Sequence, residues 1–191
     1  MKKGLLIIFS GPSGVGKGTV RKLFMDDPEL NLAYSISMTS RAPREGEKEG
    51  VDYYYVTKER FQEAIDNDEM LEYAQFVGNF YGTPRKAVEE QREQGKNVIL
   101  EIEVDGAQQV MRKCPDALSI FLIPPSMEEL ENRIRGRKTE TEEVIQERLT
   151  KARKEMKTVD KYKYVVCNDD AQLAADIVAH IIKSHIRKSD E

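Results

Sequence analysis

Leu5-Leu6-Ile7-Ile8-Phe9-Ser10-Gly11-Pro12-Ser13-Gly14-Val15-Gly16-Lys17-Gly18-Thr19 is the stretch whose reading decides the fold. Leu5 to Phe9 is a short unbroken apolar run, the pattern of a strand buried on both faces. Glycines follow at once, and Thr19 to Met25 then reads as a helix stopped by Asp26-Asp27-Pro28. Strand, glycine loop and helix in that order open a parallel α/β sheet. Gly11 to Lys17 matches the spacing G-x-x-x-x-G-K of a P-loop. The glycines let the backbone curl so that successive N–H groups point inward at phosphate oxygens, and the helix N-terminus faces the same anion. Lys17 adds a mobile positive charge suited to β- and γ-phosphates. The expected triphosphate cradle is therefore Gly11, Pro12, Ser13, Gly14, Val15, Gly16, Lys17, Gly18 and Thr19. Its hydroxyl comes at Thr19, one place later than usual, so a contact with Mg²⁺ is shifted or made through water. The dinucleotide fingerprint G-x-G-x-x-G does not fit this loop, and the H-R-D and D-F-G signatures of protein kinases do not occur.

Outward from this loop, Asn97 to Ile102, Ala117 to Ile123 and Tyr164 to Val166 repeat the buried-strand signature, each followed by a helical stretch. Ser126-Met127-Glu128-Glu129 reads as a capping box, and Ala171 to Ile186 as the last helix. Residues 37–90 differ, being rich in aromatics and turns. A helix near Lys58 to Asn67 and short strands at Met70 to Phe76 and Gly78 to Tyr81 predict an antiparallel insert. Thr83 and Pro84 read as N-cap and first-turn proline of a helix that Gly95 closes. Residues 131–160 are charged and helical, with a break near Gly136.

The chain has 191 residues, 39% hydrophobic and 34% charged, which suits one soluble globular domain. A net charge of -4 argues against a general binder of nucleic acid or acidic membranes. Any anionic ligand must be met by local arginines. Cys114 and Cys167 lie far apart without metal-ligand spacing, and are expected to be buried free thiols in a reducing cytoplasm. The apolar run after Met1-Lys2-Lys3 is too short for a signal segment, and nothing approaches the ~20 apolar residues of a membrane span. A cytoplasmic location is the expectation.

A P-loop does not separate a kinase from a hydrolase; a kinase needs a second substrate site. Arg41 and Arg44, with Pro43 stiffening the turn between them, can clamp one phosphate through two guanidinium forks, or can be solvated loop arginines. Tyr53 and Tyr81 can donate phenol hydrogen bonds to phosphate. Alternation puts Tyr53 and Tyr55 on one face and Tyr54 on the other, while Tyr54, Tyr55, Phe76 and Phe80 read as core aromatics of a small sheet. Glu72 interrupts an apolar run. Glu101 and Glu103 share a face at the carboxyl end of a strand, where α/β sheets bind ligands. Glu101 is the candidate to hold the water shell of Mg²⁺, and each of these glutamates can equally be a solvated one. A carboxylate can accept from both guanine N1–H and the guanine amino group, but faces an acceptor at adenine N1. Arg133, Arg135 and Arg137 crowd one stretch and Arg148 follows. They can close over a moving phosphoryl group, or pair with Glu140, Glu142, Glu143 and Glu147.

Taken together, these segments resemble guanylate kinases of the bacterial type over nearly the whole chain. The matching stretches are 11–17, Ser37 to Arg44, Gly50 to Tyr53, Gly78 to Thr83, Glu101 to Glu103, Gly136 to Glu142 and Asn168 to Asp170, in this order and spacing. The resemblance implies a P-loop parallel sheet flanked by helices, with a small antiparallel GMP-binding insert and a helical lid. The implied core covers 1–36, 91–130 and 161–191, the insert 37–90 and the lid 131–160. It implies ATP as donor, Mg²⁺ as cofactor, and conversion of ATP and GMP to ADP and GDP for guanine nucleotide supply and GMP recycling. It places Ser37, Arg41, Arg44, Tyr53 and Tyr81 on the GMP phosphate and Glu72, Thr83 and Glu103 at the guanine. It places Arg133, Arg137 and Arg148 around the transferring phosphoryl group, with Lys17 and Arg44, and Asn168 near the adenine. Whether the protein is a monomer or a homo-oligomer stays open.

Overall fold

The computed structural model describes residues 2–136 and 141–190. Arg137 and the segment Lys138 to Glu140, expected to belong to the lid, lie outside the described residues. In chain order the elements begin with β1 (Leu6–Ser10), α1 (Lys17–Phe24), β2 (Leu32–Tyr34), β3 (Met38–Thr39) and β4 (Tyr54–Tyr55). They continue through α2 (Lys58–Asp66), β5 (Met70–Phe76), β6 (Asn79–Pro84), α3 (Arg85–Glu93), β7 (Asn97–Glu101) and α4 (Val104–Lys113). β8 (Leu118–Ile123), α5 (Met127–Arg135), α6 (Glu142–Met156), β9 (Tyr164–Cys167) and α7 (Ala171–Asp190) complete the set.

β1 lies at the centre of a five-stranded parallel sheet of order β2-β7-β1-β8-β9. The apolar run that marks β1 serves both faces by alternation. Ile7 and Phe9 enter a cluster with Val20 and Phe24 of α1, Leu130 and Ile134 of α5, and Val178 of α7. Leu6 and Ile8 enter a second cluster with Val88 of α3 and Val104, Ala107 and Val110 of α4. A strand covered by helices on both faces has no polar face, which is why its sequence shows no alternation. Phe9 pairs with Glu101 and Ser10 with Phe121, so the carboxyl ends of β7, β1 and β8 lie side by side.

The second sheet has four strands in the order β4-β3-β6-β5. Its β3–β6 and β5–β6 pairs are antiparallel, as the turn-rich sequence predicts, but β4 joins β3 in parallel. Thr39 and Tyr55 are sixteen positions apart, room for the loop that parallel pairing requires. Met38, Phe61, Ala64 and Met70 form a separate small core beneath this sheet, and Phe80 stacks on Phe61 with ring centroids 5.2 Å apart.

Several local expectations are corrected. α1 starts at Lys17, two residues early, because Gly16 itself is the N-cap, at φ 98. Thr83 is the penultimate residue of β6 and Pro84 is the N-cap of α3; the Thr83 hydroxyl is used elsewhere, on Glu72. Phe76 is not core but 69% exposed near the β5–β6 turn. Cys114 and Cys167 are free, as expected, but half-buried and exposed rather than buried. β2 has only three residues and carries no sequence signal of its own. The capping box at α5 is half made: Ser126 accepts from the Glu129 N–H, while the Glu129 carboxylate takes Arg133.

Asn97 ties β7 to its neighbours. Its buried amide accepts from the Leu5 N–H and donates to the Leu30 carbonyl, both at 2.8 Å. Asn97→Ala leaves a buried donor and a buried acceptor unpaired, so urea unfolding should show a loss of about 2–4 kcal/mol. An unchanged midpoint would mean that water replaces the amide.

Candidate active site

Two cavities open along the carboxyl edge of the parallel sheet. The first, about 500 Å³, is lined by Gly11, Ser13, Gly14, Gly16, Lys17, Gly18 and Thr19, with Glu101, Ile102, Glu103 and Glu155 opposite. The second, also about 500 Å³, is lined by Ser37, Tyr53, Glu72, Tyr81, Glu103 and Lys151 among others. Ile102 and Glu103 line both. A larger cleft of about 660 Å³ beside Met38, Arg60 and Arg85 holds none of the candidate groups, and chemistry rather than volume assigns the site.

The loop at the first cavity is wound by glycines. Gly16 adopts φ +98, and a Cβ there would stand 2.6 Å from Nδ2 of Asn168. That amide is buried and donates to the Val15 carbonyl at 2.8 Å, bracing the loop from the end of β9. The Lys17 ammonium donates to the carbonyls of Gly11 at 2.7 Å and Pro12 at 3.3 Å. Burial pulls its pKa below the usual lysine value, opposed by the carboxylates of Glu101, Glu155 and Glu103. Glu101 does not stand alone: Arg21 of α1 donates to it at 2.5 Å and also lies over the ring of Tyr34. Thr19 is exposed at the cavity wall.

The second cavity gathers the insert residues. Glu72 is 7% exposed, and its Oε1 accepts from the Thr83 hydroxyl at 2.6 Å. Burial pushes this carboxyl up, the Thr83 bond opposes, and Glu103 adds to the rise. Gly106 of α4 backs the carboxylate so closely that a Cβ there would stand 2.6 Å from Glu72 Oε2. The rings of Tyr53 and Tyr55 lie 5.9 Å apart and those of Tyr53 and Tyr81 6.1 Å, so Tyr53 and Tyr55 do share a face. Arg41 reaches over the Tyr53 ring, 5.5 Å from its centroid, and its guanidinium donates to Glu47 at 2.9 Å. Glu47 also accepts from the Arg44 N–H and the Tyr55 hydroxyl, and Arg41 holds its carboxyl down to about 2. The Arg44 side chain is exposed and, among the described residues, makes no hydrogen bond or ion pair.

α5 and α6 bring arginines to the phosphate loop. Arg133 donates to the Asn168 carbonyl at 3.0 Å, and Arg148 donates to the Ser13 hydroxyl at 2.8 Å. Arg135 is spent on Glu131 and on Glu142, the second a pairing that the charge pattern also allowed.

With this geometry in view, residues 3–185 match the family model described as guanylate kinase. The chain belongs to the guanylate kinase family. It is 56% identical over 182 residues to a guanylate kinase of Mycoplasma mycoides subsp. mycoides, covering 95% of this chain but 61% of that protein's length. It is 36% identical to the crystal structure of guanylate kinase from Anaplasma phagocytophilum, with a TM-score of 0.74, covering 96% of this chain and 87% of that chain. At 14% identity and a TM-score of 0.53, TT1252 from Thermus thermophilus shares the fold alone. The expected fold class holds, since the parallel sheet flanked by helices and the small, mostly antiparallel second sheet are both those of this guanylate kinase family member. Among the described residues, no helix is long and apolar enough to cross a membrane.

Sequence reasoning missed the supports. Glu47 stands three places after Arg44 and six after Arg41, an acidic residue in the same turn. Arg21 falls four places after Lys17, on the same face of α1. Lys151 and Glu155 fall three and seven places after Arg148, one stripe of α6. Gly106 gave the only other hint, a glycine early in a helix where alanine is intrinsically better by about 1 kcal/mol.

Glu72 gives a pH prediction. Its pKa is raised in the folded protein, so the folded state favours the protonated acid. That contribution is fully present below the unfolded value of about 4.3 and is lost as pH rises through the higher folded value. Glu72→Gln removes the cost of holding a buried charge. Its Tm should exceed that of the parent at pH 7, and the difference should vanish below about pH 4. A Tm below the parent's at pH 7 that rejoins it at low pH would mean that the charged form is the one the fold prefers.

Proposed function

We propose that this protein transfers the γ-phosphoryl group of ATP to GMP, giving ADP and GDP. The observation that carries the reading is the wall of Ile102 and Glu103 common to the phosphate-loop cavity and the insert cavity. A donor held in one and an acceptor held in the other meet there. Family membership supports the same reading, as does the name of the Mycoplasma relative, of which this chain spans about three-fifths.

The division of labour follows from residue chemistry. Gly11 to Thr19 cradle the ATP phosphates, with Lys17 on the β- and γ-oxygens and Asn168 bracing the loop near the adenine. Ser37, Arg41, Arg44, Tyr53 and Tyr81 hold the GMP phosphate. Glu47 keeps Arg41 in place through an ion pair and anchors the Arg44 backbone, leaving the Arg44 guanidinium for substrate. Glu72 and Glu103 accept from the guanine N1–H and amino group, and Thr83 aims Glu72. A GMP phosphate oxygen attacks the γ-phosphorus as the bond to the ADP oxygen breaks. No general base is needed, since a phosphate monoester with a second pKa near 6 is largely ionised at neutral pH. Arg133, Arg137 and Arg148 spread the charge of the moving group, and residues 131–160 act as a lid that excludes water. The proposal takes the core as 1–36, 91–130 and 161–191, the insert as 37–90 and the lid as 131–160.

Mg²⁺ fits the phosphate-loop cavity as a hydrated ion. Thr19 offers a hydroxyl and Glu101 a carboxylate, and Gly18 leaves room: a Cβ there would stand 3.5 Å from Glu101 Oε1. Oxygen ligands and retained water suit this cation. When bound with ATP it supplies charge neutralisation between the phosphates. The setting proposed for this chemistry is the cytoplasm.

ADP formation measured with and without GMP tests the reading. ADP should appear only with GMP, and AMP should replace it with a kcat/KM at least about a hundredfold lower. Glu72→Gln should lose much of that selection, and Lys17→Ala should lower kcat by about two orders of magnitude or more without unfolding the protein. Equal use of AMP would overturn the base reading, ADP without an acceptor would point to a hydrolase, and no ADP at all to a binding module.

A further inference from the structure

Lys151 belongs to neither the phosphate loop nor the expected acceptor set, yet it stands where the two cavities join. It lies on α6, three residues beyond Arg148, and lines the insert cavity. Its ammonium is 2.5 Å from Oε2 of Glu103 and 3.8 Å from Oε1 of Glu155. Glu155, one turn further on, lines the phosphate-loop cavity. It is buried, and among the described residues its Oε2 has no hydrogen-bond partner.

Charge makes this placement more than incidental. Glu103 is faced by Glu72 of β5, Glu155 of α6 and Asp105 of its own helix α4. Two ammonium groups oppose these carboxylates, Lys17 of α1 and Lys151. Lys17 is turned to the carbonyls of Gly11 and Pro12. Among the described residues Lys151 is therefore the cation bonded to Glu103. Partial burial disfavours its charge, but the Glu103 bond and the charges of Glu103, Glu155 and Asp105 together outweigh this and raise its pKa. The bond occupies Oε2, and among the described residues Oε1 of Glu103 carries no hydrogen bond.

We propose that Lys151 is a positioning residue for the acceptor base. Its ammonium holds the Glu103 carboxylate at the mouth between the cavities, against repulsion from Glu72, Glu155 and Asp105, with Oε1 left to accept from guanine. The inference rests on the transfer of phosphate to GMP proposed above. Lys151 makes no contact with the reacting phosphates and acts through Glu103 alone. Its position on α6 also links base recognition to the helix whose Arg148 touches the phosphate loop.

Steady-state kinetics with GMP and ATP on Lys151→Met, Lys151→Arg, Glu103→Gln and the Lys151→Met/Glu103→Gln double variant test this. Lys151→Met should raise the KM for GMP about tenfold, with kcat and the KM for ATP within about twofold of the parent. Lys151→Arg should recover the GMP KM to within about threefold. In the Glu103→Gln background, Lys151→Met should add less than about twofold, because the residue acts through a partner already removed. Both positions are exposed, so thermal melts should stay within a few degrees. An unchanged GMP KM in Lys151→Met, parallel changes in both KM values, or fully additive effects would each overturn the inference while leaving GMP phosphorylation intact. A parent protein that forms no ADP from ATP and GMP would overturn both.

Discussion

Parallel pairing of β1 with β7 is the constraint on which the rest of the structure depends. It sets Phe9 beside Glu101 and so brings the strand that ends in the phosphate loop next to the strand that ends in two carboxylates. Parallel neighbours point their carboxyl ends the same way, and loops and helix N-termini then converge at one edge of the sheet. The loop after β1 and the start of α4 after β7 thereby become opposite walls of one site. Neither wall could be moved to the other edge without reversing a strand whose side chains fill both cores.

Charge at this edge is arranged in layers. Lys17 is held against carbonyls of its own loop, its charge supported by Glu101, Glu155 and Glu103. Those carboxylates are in turn engaged by cations from separate elements, Arg21 on Glu101 and Lys151 on Glu103. Among the described residues Glu72 has no cation on it, only the Thr83 hydroxyl, and it carries the cost of burial as a raised pKa. A buried acceptor with one oxygen already aimed is suited to read a donor edge, and its cost in stability is the usual companion of a site organised for binding. The insert repeats the pattern at its own loop, where one carboxylate, Glu47, orders Arg41, Arg44 and Tyr55.

Much of this was legible in the residues themselves. The unbroken apolar run, the glycine spacing and Lys17 specify strand, loop and helix because each feature has a local cause: burial on both faces, φ values open to glycine, and unpaired N–H groups at a helix N-terminus. The insert was legible as short strands, but its parallel β3–β4 pair was not, because parallel pairing is made by distant residues and leaves no turn signature. Thr83 was misplaced for a related reason. A threonine before proline looks like a helix cap, and only the position of Glu72 across β6 decides where its hydroxyl points. Phe76 looked like core because composition does not reveal which residues sit at the end of a hairpin.

The sequence by itself determined the glycine loop, the buried parallel strands and the residue types of the two sites proposed for anions, since local periodicity and backbone sterics carry that information. Tertiary structure alone decided the partners: Asn168 beneath Val15, Arg21 on Glu101, Lys151 on Glu103, Gly106 behind Glu72. Each of these pairs residues from separate elements, and the Asn168–Val15 bond spans 153 positions. Hydrogen bonds and ion pairs act over a few ångströms whatever the separation along the chain, so they become readable only once the sheet has set its strands in order.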